Sequence, residues 1–192
     1  MKDFLIIIPF KDLAIILIIM ENLNDFNTPY FSFDGLKCIS RVVDITDGDT
    51  IKAIINFKDN YYKIVIRLFN IDTCETKSKI AENKNLGIEA KKRVYNIITG
   101  KTIEEFDNTN IKKIIKNELN SNCYYIYVKC YEFDKYGRVL ADIYKKNDKN
   151  DLSDLNDNCE SISNILINEK LAYIYSGKTK LTEEEQLELL KK

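Results

Sequence analysis

The chain has 192 residues, 45% hydrophobic and 31% charged, enough apolar material for one compact domain and too much for a disordered chain. Its 29 basic and 30 acidic residues leave a net charge of −1, so contact with a polyanion would need a local basic patch rather than the global field. Histidine is absent, which excludes Ser-His and Cys-His triads and histidine metal sites and leaves hydrolytic chemistry to carboxylates, lysine, arginine or a hard metal ion.

The first segment, "FLIIIPFKDLAIILIIM", is very apolar, but Pro9, Lys11 and Asp12 interrupt it. Its unbroken run Leu13–Met20 is too short to span a bilayer. Residues 1–35 read as an N-terminal extension, apolar then polar, with a membrane tether or secretion signal in residues 1–20 as the alternative. From Leu36 the pattern turns to strands: "LKCISRVVDI", "TIKAIINF" and "YYKIVIRLF", split by turn signals at Asp47-Gly48 and Asp59-Asn60. The polar stretch "DTCETKSKIAENKNLG" reads as a loop. "IEAKKRVYNIIT" follows as a helix burying Ala90, Val94, Ile97 and Ile98, with Gly100 as its stop.

The region 99–122 reads as a helical insertion with Ile111, Ile114, Ile115 and Leu119 on one face. "CYYIYVKCYEF" and "RVLADIY" are two more strands around the turn "DKYG". A charged loop, "KKNDKNDLSDLNDN", precedes a short amphipathic helix through Ile162, Ile165 and Leu166. Residues 181–192 form a last helix opened by a Thr182–Glu185 capping box and closed by lysines. Three strands, a helix, two strands and further helices predict a mainly β fold with α (α+β), a five-stranded OB-type barrel over residues 36–180 with helices packed on it.

Three segments carry unusual polar content at strand ends: "DGDT" (Asp47 to Thr50), "RLFNIDTCE" (Arg67, Asp72, Thr73, Glu75) and "DKYGR" (Lys135, Tyr136, Arg138). Each alone has a plain reading. The first and last are turns, Arg67 can face solvent from a strand, and the middle one can be a capping loop. Together they offer more. Asp49 and Asp72 are oxygen donors suited to Ca²⁺ or Mg²⁺. Glu75 can bind or deprotonate a water, and Arg67 and Arg138 can grip phosphate oxygens. Those are the parts that bring water to a phosphodiester and stabilise its transition state. The lysines 91, 92, 112, 113 and 116 and Arg93 read as solvated helix faces, and the tyrosine-rich "YYIYVKCYEF" as core.

In this order the motifs resemble the staphylococcal nuclease family, over roughly Leu36 to Tyr175. The resemblance implies an OB-fold, Ca²⁺-dependent endonuclease that cleaves DNA and/or RNA to 3′-phosphate ends, with Mg²⁺ a weak or non-productive substitute. It places Asp49, Asp72 and the Thr73 carbonyl at the metal, with Asp47 beside them. Glu75 falls at the water-activating position and Arg67 and Arg138 at the phosphate-gripping ones. Lys135 and Tyr136 fall near a terminal phosphate. Tyr173 and Tyr175 match a late tyrosine segment that contacts nucleotide or packs on the barrel, packing being the first reading. Cys74 departs from the pattern, standing where the family has proline. The competing reading is a non-catalytic OB module that binds nucleic acid or protein.

Five cysteines exclude a complete disulfide framework, the lack of a CxxC pair argues against a cysteine zinc site, and they fit free thiols in a reducing, intracellular setting. Nothing in the sequence calls for a stable protein partner, and a monomer is expected.

Overall fold

The structure is a computed structural model and describes residues 10–103, 110–146 and 160–190, with side chains from residue 15 onward. Parts of three sequence readings, the N-terminal extension at 1–9, the insertion at 104–109 and the charged loop at 147–159, lie outside the described residues, as do the closing lysines 191 and 192. The chain divides into two units, Met1–Ser32 and Phe33–Lys192. The first contains helix α1 (Phe10–Glu21), whose 12 residues give about 18 Å of length against a hydrocarbon core of about 30 Å. No described helix is long and apolar enough to cross a membrane.

The second unit is built on five strands: β1 (Lys37–Asp47), β2 (Thr50–Phe57), β3 (Asn60–Leu68), β5 (Tyr124–Phe133) and β6 (Val139–Lys145). They close into a barrel in the order β1-β2-β3-β6-β5, antiparallel except for the β3–β6 pair. This is the five-stranded OB-type α+β fold expected from the sequence. The β2–β3 hairpin turns at Lys58 and Asp59, whose φ values of 49° and 61° give the two left-handed positions that a tight hairpin needs. The turn thus sits one residue before the Asp59-Asn60 signal. Bulges interrupt β1 between Val42 and Asp44 and between Ile45 and Asp47, bending the strand as it approaches the turn at Gly48.

Alternating burial along β2 (Ile51, Ala53, Ile55) and β6 (Val139, Ala141, Ile143) fills the barrel. Helix α2 (Ala81–Thr99) adds Ala90, Val94, Ile97 and Ile98 to the same core and stops at Gly100, with φ 72°. It begins about two turns earlier than its apolar face suggests. Residues Ala81 to Gly87, expected as loop, are its first turns, because Asn83 and Gly87 are buried there and Leu86 packs against the cluster of Cys74, Tyr173 and Leu190.

Helix α3 (Ile111–Ser121) falls within the expected insertion and buries Ile111, Ile115 and Leu119. Its Asn120 amide donates to the Val43 carbonyl of β1 at 3.2 Å, and Lys112, Lys113 and Lys116 stay exposed. Helix α4 (Ile162–Asn168) is capped by the Ser161 hydroxyl.

Helix α5 (Glu183–Leu190) opens with the predicted capping box. The Glu185 carboxylate accepts from the Thr182 amide at 2.7 Å, and the Thr182 hydroxyl accepts from the Glu185 amide at 3.2 Å. Residues 33–35 and this last helix belong to the same compact unit as the barrel.

Helix α2 is drawn against the β1–β2 turn and the residue 73–75 loop by two glycines. A Cβ at Gly48 would lie 2.6 Å from the Ala90 Cβ, and one at Gly87 would lie 2.5 Å from the Cys74 carbonyl oxygen. Gly87→Ala should therefore run against helix propensity. Propensity favours alanine by about 1 kcal/mol, but the backbone clash should cost about 1–3 kcal/mol. Urea unfolding should show a net loss of stability, and a gain would mean that the helix and loop separate freely.

Candidate functional site

Three segments distant in sequence meet at one end of the barrel. Asp49 lies in the connection between β1 and β2, Arg67 near the end of β3, and Asp72 in the short strand β4 (Ile71–Asp72). Strand β4 pairs antiparallel with β7 (Tyr173–Ile174), which puts Tyr173 directly opposite Asp72. Sequence patterning did not reveal this two-residue ladder, because it is too short for an alternation to register.

Asp49, Arg67 and Asp72 are 7%, 7% and 3% exposed. Charges so buried need partners. The Arg67 guanidinium supplies them, pairing through Nη1 with Asp49 Oδ2 and through Nη2 with Asp72 Oδ1 at 2.6 Å. Asp49 also accepts from the Thr50 hydroxyl (2.8 Å), the Thr73 hydroxyl (3.1 Å) and the Thr73 amide (3.2 Å). Asp72 accepts from the Tyr173 hydroxyl at 2.5 Å. Burial pulls the Arg67 pKa down, opposed by the charge and bonds of Asp72. Burial and the bond to Asp72 both push the Tyr173 hydroxyl well above the usual tyrosine range. Tyr173 thus packs in the core, as first read, and bonds Asp72 through its hydroxyl.

Glu75 is exposed. Its Oε1 accepts from Lys180 Nζ at 2.7 Å, and the same ammonium lies 3.1 Å from Asp72 Oδ2. Burial lowers the Lys180 pKa, but its bond to Glu75 and the charges of Asp72 and Glu75 outweigh that and leave it raised. Lys180 escaped the sequence reading, since a lysine in "SGKTKL" carries no spacing signal. Asp47, beside the turn, accepts from the Thr76 hydroxyl at 2.8 Å.

Arg138 follows the β5–β6 turn, where Gly137 has φ 77°. Its Nε donates to Asp134 Oδ2 at 2.6 Å, and its guanidinium lies 5.4 Å from the Tyr136 ring centroid. Burial alone would raise the Asp134 pKa, but backbone and side-chain bonds from Arg138 outweigh it and hold the carboxyl below its usual range. Lys135 Nζ lies 5.1 Å from the centroid of the same Tyr136 ring. The Tyr175 hydroxyl donates to the Lys178 carbonyl at 2.9 Å.

One cavity of about 510 Å³ brings these groups together. It is lined by Asp47, Asp49, Arg67, Asp72, Thr73, Glu75, Lys135, Tyr136, Arg138 and Tyr175, all singled out from sequence, and also by Thr50, Lys178 and Lys180.

The donors suit a hard divalent cation in type and charge. Asp49 and Asp72 already enclose a positive group between two carboxylates, and every nearby donor is oxygen. Among the described residues no cluster of three or more acidic or cysteine side chains forms. Further oxygens would have to come from the backbone or from water.

The loop before Glu75 carries a buried thiol, Cys74, at hydrogen-bond distance from the Asn83 amide (3.6 Å). Asn83 also donates to the Glu183 carbonyl (3.1 Å) and to Gln186 Oε1 (3.3 Å), so it ties α2, α5 and this loop together. Two basic residues read as solvated are structural instead. Lys91 is buried, with its ammonium donating to the Thr46 carbonyl at 2.8 Å, and Arg93 forms a forked pair with Glu169 at 2.6–3.0 Å. Their positions on α2 face β1 and the end of α4, which a charge run in the sequence does not disclose.

Fold and cavity define an OB barrel with a carboxylate–guanidinium cleft of the kind that handles phosphodiesters, a nuclease-like or nucleic-acid-binding domain. Residues 65–192 match the family model described as staphylococcal nuclease homologue, and the chain belongs to that family. Comparison with curated proteins gives no match.

Two outcomes test this geometry. Arg67→Met leaves two buried carboxylates without their shared cation and should destabilise the fold by about 3–5 kcal/mol in urea unfolding. A loss under 1 kcal/mol would mean the pairs contribute little. Burial pushes the Cys74 thiol from 9.0 up to about 11, so its contribution to stability is full below pH 9 and falls as the pH approaches 11. Iodoacetamide at pH 8 should therefore spare Cys74 in the native protein and modify it in urea, read by peptide mass.

Proposed function

We propose that the protein is a metal-dependent endonuclease that hydrolyses phosphodiester bonds of DNA and/or RNA to 3′-phosphate products. The observation that carries this reading is the convergence of Asp49, Asp72, Glu75, Arg67 and Arg138 on one cavity, in a chain of the staphylococcal nuclease homologue family. Asp49, Asp72 and the Thr73 carbonyl would hold a divalent ion, Ca²⁺ by family resemblance. Bound there, the ion supplies Lewis-acid polarisation of a phosphoryl oxygen.

Glu75 takes a proton from the attacking water at the cavity mouth, where its exposure leaves room for solvent. The water oxygen adds to phosphorus, the bond to the 5′ oxygen breaks, and that oxygen leaves as a hydroxyl after taking a proton from solvent at the open cavity mouth. Arg138 and Arg67 stabilise charge on the phosphoryl oxygens. Arg67 can do so only by sharing a guanidinium already paired with both aspartates, so Arg138, bonded to one partially exposed acid, is the freer phosphate ligand. Lys135 and Tyr136 seat a neighbouring phosphate, and Tyr175 borders the nucleotide.

The second reading, a binding module without chemistry, draws on the same Arg67 pairing, which can satisfy both aspartates without a metal. Cleavage of a labelled oligonucleotide with Ca²⁺, and with excess chelator, separates the two. The expected outcome is chelator-sensitive cleavage with 3′-phosphate ends, with kcat about 10²–10⁴-fold lower in Glu75→Gln and about 10²–10³-fold lower in Arg138→Ala, both still folded. Binding without turnover at any metal concentration would replace the hydrolase reading with the module.

A further inference from the structure

Glu75 is the most exposed acid of the site, with 56% of its side chain accessible, while Asp72 beside it is buried. A glutamate on an exposed loop samples several rotamers, and each unproductive one subtracts from its time in reach of a reacting water. Lys180 holds one of these rotamers in the structure, because its ammonium is the hydrogen-bonding partner of the Glu75 carboxylate among the described residues and also reaches Asp72.

The segment that carries Lys180 is fastened on both sides. Before it, the Tyr175 amide donates to the Asn70 carbonyl at 3.0 Å and the Tyr175 hydroxyl to the Lys178 carbonyl. After it, the Thr182–Glu185 capping box fixes the start of α5.

We propose that Lys180 is a positioning residue of this site, holding the Glu75 carboxylate beside the buried Asp72. The proposal rests on the hydrolase reading for its kinetic consequence, but its electrostatic consequence is independent of it. Arg67 and Lys180 together place two positive charges on Asp49 and Asp72, and Lys180 therefore opposes any further cation there. Removing it acts on two quantities in opposite directions. A divalent ion binds more tightly because a like charge is gone, while turnover falls because Glu75 is no longer aimed. A residue that merely supports the fold would weaken both.

The test uses the full chain, Lys180→Met and Lys180→Arg, with Ca²⁺ binding by calorimetry and steady-state cleavage of a single-stranded DNA oligonucleotide. Lys180→Met should tighten the Ca²⁺ Kd about 3–10-fold. It should lower kcat about 10–100-fold with KM changed less than about threefold. Lys180→Arg should recover most of the kcat. In a Glu75→Gln background, Lys180→Met should cost little more, because it acts through the residue already removed. Loss of Ca²⁺ affinity together with kcat, or effects of the two substitutions that multiply, would overturn the proposal. If the wild-type chain binds Ca²⁺ without cleaving, the hydrolase reading falls, and the calcium arm decides for Lys180: tightening supports it, and an unchanged or weaker Kd overturns it. A wild-type chain that binds no Ca²⁺ overturns both.

Discussion

The pairing of one buried guanidinium with two buried carboxylates governs this end of the molecule. Arg67 links the β1–β2 connection, the end of β3 and the short strand β4, because it pairs with the buried carboxylates of Asp49 and Asp72 at once. Each acid then collects further donors: the threonines 50 and 73 on Asp49, and Tyr173 and Lys180 on Asp72. The consequence is a site whose geometry comes from electrostatic necessity as much as from the barrel. It also sets a competition, since any ligand drawing on Arg67 draws it away from its own carboxylates.

Close packing supplies the second constraint. The 73–75 loop would be free to drift if α2 stood at an ordinary helix–loop distance. Gly87 removes the side chain that would keep the helix away, and Gly48 does the same at the β1–β2 turn. Asn83, fully buried, then donates its side-chain Nδ2 toward α5 and the Cys74 thiol. In this way the 73–75 loop, which contains no proline, gains order from a helix outside itself.

How much of this could be read beforehand depended on whether the signal was local. The barrel strands were legible because β-branched alternation is a property of each segment, and the α2 and α3 cores because their isoleucines repeat at helical spacing. Most of the residues that line the cavity could be picked out beforehand because they sit in three motifs at strand ends. Lys180, the β4–β7 ladder and the first turns of α2 could not. Lys180 owes its place to partners 105 and 108 positions away, a two-residue strand has no period, and Ala81–Gly87 is held by a glycine contact and a buried amide. Lys91 and Arg93 make the same point in reverse. Their charges resemble a solvated face, but a carbonyl and a glutamate distant in sequence claim them.

The family match begins at residue 65, within β3, whereas Asp49 and the first two strands precede it. Their place in the site therefore depends on physical closure rather than on likeness. Strand β1 must pair with β5 and β2 with β3 for the barrel to have no open edge, and that closure delivers the β1–β2 connection to the mouth of the cavity. Thr50 lies opposite Arg67 in the β2–β3 register, and the Asp49 carboxylate accepts two bonds from Thr73, inside the matched segment. One half of the carboxylate pair is thus fixed by sheet register and the other by a turn after β3. The site exists because both are satisfied by the same arginine.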